Sequence, residues 1–101
     1  MDSQTRKPVF WKRELVGYIE NPETDMWYVD GIWRVKDNEA AIEFVNVASQ
    51  QSWDDFQNIQ NVNDFIWVGV DANRPNYIFA AFVGEFIRLR AVIDVDPPES
   101  W

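Results

Sequence analysis

From Val9 to Glu20 the chain reads VFWKRELVGYIE, rich in aromatic and β-branched residues. That pattern predicts one strand ending at Asn21-Pro22, where proline removes a donor and restricts the residue before it. In the next apolar stretch, MWYVDGIWRV, Asp30-Gly31 sits between two hydrophobic runs. This is the composition that a two-residue type I′ turn needs at its positive-φ positions, and it predicts a hairpin with Val29 facing Ile32 and Tyr28 facing Trp33. The alternative is one unbroken strand, since Trp27, Val29, Trp33 and Val35 also share a face at period two, with Gly31 as a bulge. The spacing then changes. Asp37 or Asn38 caps a helix over EAAIEFVNVASQQ, whose stripe is Ala41, Val45 and Ala48, widened by Ile42 and Phe44. A second, short helix starts at Ser52, with Asp55 three residues on as an approximate capping box, Trp53, Phe56 and Ile59 facing inward, and an end by Asn61. Three strands follow, at 64–71, 76–83 and 85–95. Gly84 marks a tight turn that makes the last two a hairpin, and Asp96-Pro97-Pro98 ends regular structure.

Strands, helix, short helix, strands is an order that predicts an antiparallel sheet covered by a helix. The expected fold is α+β, a single domain of five to six strands, β-β(-β)-α-α(short)-β-β-β, packed on one main helix. Its 101 residues leave material for no second domain. The expected boundaries are a flexible arm at 1–8, the domain at 9–96 and a tail at 97–101.

Composition narrows the chemistry. Histidine and cysteine are both absent, which removes the near-neutral proton shuttle, the thiol nucleophile, disulfides and the common zinc site. No G-x-S-x-G, P-loop, G-x-G-x-x-G or H-E-x-x-H pattern occurs. Carboxylate pairs are the one enzymatic route left, and among 17 Asp and Glu residues a pair is always available, so no catalytic residue is assigned and a non-enzyme is expected. Asp54-Asp55 and Asp94-Val95-Asp96 fall far short of the oxygen shell of a hard cation, so neither a metal nor a cofactor is expected. The net charge is −8, with +3 on residues 1–13 and −11 on the rest. Such a charge opposes nucleic acid and anionic lipid and favours a basic partner. No apolar run is long enough to span a membrane, and basic residues interrupt the start, so a cytoplasmic protein is expected.

Two sets of residues are candidates for binding. The first is acidic: Asp54, Asp55, Asp64, Glu39 and Glu43 from the helical region, grouped around Trp53 as an aromatic anchor for a protein partner. The second is a small-ligand or carbohydrate platform of sheet-face aromatics, Trp27, Tyr28 and Trp33, joined by Arg88 and Arg90, which period two places together on the face opposite Ile87 and Leu89. The first set leads to the preferred expectation, a non-catalytic protein-binding module. In size and acidity, and in no aligned residue, the chain is similar to the immunity proteins that neutralise basic nuclease toxins and to small phage-encoded inhibitors. That similarity implies occlusion of a basic partner without chemistry. Oligomeric state is not legible at this level.

Overall fold

The chain first reverses at Lys12-Arg13, inside the segment read as one strand. In the computed structural model, which describes residues 6–61, 64–92 and 97, strand β1 (Arg6–Trp11) and strand β2 (Glu14–Asp25) form a hairpin with Trp11 opposite Glu14. Both turn residues have positive φ, 52° at Lys12 and 70° at Arg13, with neither glycine nor asparagine to ease it. The ladder on either side, which buries Val9, Trp11, Val16 and Ile19, outweighs that local cost. β1 also starts at Arg6, so Arg6, Lys7 and Pro8 belong to the sheet and not to an arm, while residues 1–5 lie outside the described residues.

Asn21-Pro22 does not end β2 either. Proline is tolerated there because the two residues form a bulge, with Asn21 at φ 51° and the register shifting between Glu20 and Glu23. The true turn is Met26-Trp27, where Asp25 pairs with Tyr28. Strand β3 (Tyr28–Val35) then runs straight through Asp30-Gly31, so the expected hairpin there is corrected to the continuous-strand alternative. Gly31 keeps an ordinary β backbone and is itself unbulged opposite Ile87. Its glycine serves close approach: a Cβ would run into the Ile19 side chain and come within 2.8 Å of the Glu20 carbonyl oxygen.

Helix α1 (Glu39–Ala48) is capped by Asn38, whose Oδ1 accepts from the Ala41 N–H at 2.7 Å while its Nδ2 donates to the Leu15 carbonyl at 3.1 Å. One side chain thus starts the helix and ties it to β2. Helix α2 (Trp53–Gln57) follows, then β4 (Trp67–Val68), β5 (Tyr77–Val83) and β6 (Phe86–Ala91). The strand expected at 64–71 is two residues long, and beyond it Asp71 Oδ1 accepts from the Asn73 and Arg74 N–H groups and folds the chain back. The β5–β6 hairpin forms at Gly84, φ 60°, as its glycine predicts. β6 is described as a strand to Ala91, and residues 93–95 of the expected 85–95 lie outside the described residues.

The sheet order is β1-β2-β3-β6-β5-β4, every pair antiparallel. Phe10 and Gly69 exchange two backbone hydrogen bonds of 2.8 and 2.9 Å, which brings the outer strands together into a nearly closed barrel. Register shifts in the β1–β2, β2–β3 and β5–β6 ladders supply the curvature. The fold is therefore α+β, one domain with one main and one short helix.

Two apolar clusters lie on opposite faces of the curved sheet. On the inner face Val9, Trp11, Ile19, Val29, Val68, Phe79, Ile87 and Leu89 surround α1, which inserts Ala41, Phe44 and Ala48. Phe44 is fully buried, with its ring centre 5.7 Å from both Trp11 and Trp33 and 5.9 Å from Phe79. Ile42, expected in the stripe, is instead 58% exposed. On the outer face Phe56, Trp67, Ile78 and Ala80 form the second cluster, with Trp53, Tyr28 and Ile59 packed against it.

Gly31→Val should lower stability by about 1–3 kcal/mol through overpacking against Ile19 and the bulge, and a wild-type midpoint in denaturant would refute that close approach. Replacing Lys12-Arg13 with Asn-Gly should raise stability by about 1 kcal/mol, because the new pair adopts positive φ without strain. A lower melting temperature for that variant would show that the native turn residues make compensating contacts.

Candidate functional site

Antiparallel register places the outer-face residues in rows. Glu20, Ile32, Phe86 and Val83 form one row across β2, β3, β6 and β5; Glu23, Asp30, Arg88 and Ala81 form the next; Asp25, Tyr28, Arg90 and Ile78 the third. Apolar Ile32, Phe86 and Val83 of the first row therefore lie beside a charged row. In the charged row Arg88 makes a forked pair with Asp30, Nε to Oδ1 at 2.8 Å and Nη2 to Oδ2 at 3.0 Å. The hydrogen bond to Asp30 holds the Arg88 pKa above its ordinary value, against the lowering effect of burial and with added attraction from Asp30 and Asp25. The guanidinium stays charged at any physiological pH.

Helix α2 crosses this face over β5. Its position follows from two local devices. Gln51 Nε2 donates to the carbonyls of Phe79 and Ala80 at 3.0 and 2.9 Å, pinning the helix–helix connection where the β5 register shifts. Ser52 and Asp55 then complete a reciprocal capping box, with both hydrogen bonds at 3.0 Å. Trp53 is delivered onto the sheet as a result. Its ring stacks on Phe56 at 5.6 Å, meets Tyr28 at 5.8 Å, and carries the Arg88 guanidinium 5.2 Å from its centre.

Between α2 and the open end of the rows lies a groove of about 540 Å³, lined by Glu23, Asp30, Trp53, Val83, Phe86, Ile87 and Arg88. Val83 is 60% and Phe86 49% exposed, an unusual state for such side chains placed side by side. A second groove of about 290 Å³ lies at the start of α1, lined by Trp11, Lys12, Glu14, Glu39, Ala40 and Glu43.

The expected acidic set is thus divided. Trp53 lines the larger groove; Asp54 and Asp55 are exposed on α2, Asp55 engaged in its cap; Asp64 is exposed beyond the helix; Glu39 and Glu43 line the other groove. The aromatic platform is divided as well. Trp33 lies on the inner face against Phe44 and Phe82, Trp27 occupies the Met26-Trp27 turn, and Tyr28 lies beneath Trp53. Arg88 and Arg90 do share the outer face, but Arg88 is committed to Asp30. Sequence reasoning missed Glu23, Asp30, Val83 and Phe86. Period two could have found Phe86, since Ile87 and Leu89 point inward and leave their even-numbered neighbours outside. Among the described residues no group of acids is arranged to hold a metal ion, and no helix is long and apolar enough to cross a membrane.

No protein-family model, curated protein or solved structure matches this chain, so the fold and groove stand on their own geometry.

Ser52→Ala should cost about 1 kcal/mol and shift Trp53 emission to the red as α2 frays, whereas Ser52→Asp should restore both. Unchanged emission in Ser52→Ala would show that packing on Phe56 alone holds the indole.

Proposed function

We propose that the protein is a non-catalytic binding module that docks a basic protein partner in the groove between α2, β3 and β6. The observation that carries this reading is the adjacency of exposed Val83 and Phe86, with Trp53 across from them, to a charged row in which two carboxylates face one guanidinium. An apolar centre with a charged margin suits a protein surface, where an aromatic anchor slows dissociation and carboxylates speed encounter. The −8 net charge extends that attraction over the whole molecule. An inhibitor or immunity-type role follows the same logic, because a basic active surface is blocked by occupancy alone. The carbohydrate reading has less support, because its three aromatics, Trp27, Tyr28 and Trp33, do not share a face.

The test is capture from a lysate of the cells that make the protein, comparing wild type with Phe86→Ser and with Ile42→Ser, a somewhat more exposed apolar position on α1. Wild type and Ile42→Ser should retain the same basic protein, and Phe86→Ser should lose it by about tenfold or more in affinity. Equal retention by Phe86→Ser would move the binding surface away from this groove.

A further inference from the structure

Resting on the docking reading above, we infer that the partner group this groove takes is an arginine side chain, held between Glu23 and Asp30 with its stem along Phe86. Glu23 and Asp30 face each other directly on neighbouring antiparallel strands and on the same face of the sheet. Like charges in that position repel, and a cation placed between them relieves the repulsion. Arg88 does not fill that place. Its Nε and Nη2 are aligned on the two oxygens of Asp30, and its guanidinium is drawn toward Tyr28 and Trp53, 5.4 and 5.2 Å from their ring centres, on the far side of Asp30 from Glu23. Each Asp30 oxygen accepts one bond from Arg88 and keeps a lone pair for a second donor. An anionic ligand is disfavoured, because Glu23, Asp25 and Asp30 outnumber Arg88 and Arg90 in these two rows.

Arginine fits better than lysine for two reasons. Its planar fork donates to two carboxylates at once, where an ammonium acts as a strongly hydrated point charge. Its weakly hydrated plane and aliphatic stem also lie well against an exposed ring, and Phe86 is half exposed in the adjoining row.

The experiment uses the full chain, ¹⁵N-labelled, titrated with three capped pentapeptides Gly-Leu-X-Leu-Gly in which X is arginine, lysine or citrulline. Citrulline keeps the shape of arginine and removes its charge. The arginine peptide should perturb the Trp53 indole N–H and the backbone of Glu23, Asp30 and Phe86, and should bind about 3-fold more tightly than the lysine peptide and about 10-fold more tightly than the citrulline one. Glu23→Gln should weaken arginine binding by about 3-fold or more and leave citrulline binding unchanged, while Glu43→Gln, the same charge change in the other groove, should have no effect. Equal binding of arginine and citrulline peptides in the groove would overturn the arginine assignment and leave the docking reading standing. Equal effects of Glu23→Gln and Glu43→Gln would reduce the preference to net charge and overturn it too, as would an absence of groove shifts at about 10 mM peptide. Failure of the docking reading itself is read separately, from partner retention by Phe86→Ser.

Discussion

The structure depends on one aromatic side chain filling the hollow of a curled sheet. Six strands bent by register shifts enclose an interior too wide for their own aliphatic residues to fill, and Phe44 enters it from α1 against Trp11, Trp33, Phe79 and Phe82. Small residues at Ala41 and Ala48 let the helix backbone come close enough for that ring to reach. Asn38 sets the depth of insertion by binding the helix start and the Leu15 carbonyl together. Removing the ring would leave a cavity that rigid strands on all sides cannot close, the situation in which truncation costs most.

Because α1 fills the inside, the outer face must be covered by something else. α2 covers the β5 side of it, with Phe56 buried against Trp67 and Ile78, and reaches Tyr28 and Arg88 through Trp53. The remaining rows on β3 and β6 stay open, and the groove is the uncovered remainder of a sheet face. Its polarity follows from strand pairing: the ladder that sets Asp30 beside Arg88 also sets it beside Glu23, so satisfying one carboxylate leaves the other in excess. Structure and candidate function come from the same register.

A chain without histidine or cysteine has few ways to do chemistry and many ways to bind. Some of the charged groups order their neighbours: Asp55 caps the start of α2, Arg88 holds Asp30 while its guanidinium lies against Trp53, and Glu20 accepts from Arg34 at 2.9 Å. Exposed Phe86, Val83 and Glu23 take no part in that internal order and lie together in one groove.

Features set by residues near one another in the chain were legible in the sequence. The α1 cap, the Ser52–Asp55 box, the Gly84 turn and the α+β class each arise from groups within a few residues or from plain periodicity, and Trp53 could be named for the same reason. Features set by distant pairing were not. Lys12-Arg13 and Met26-Trp27 carry no turn composition and are bent by the ladders beside them, while Asp30-Gly31 carries turn composition and lies in a straight strand. There the glycine admits the neighbouring bulge, and the aspartate meets Arg88 from 58 residues away. Local composition records what a residue tolerates; only the assembled sheet decides which tolerance is used, because the energy of the whole ladder and its buried face exceeds the preference of any two turn residues.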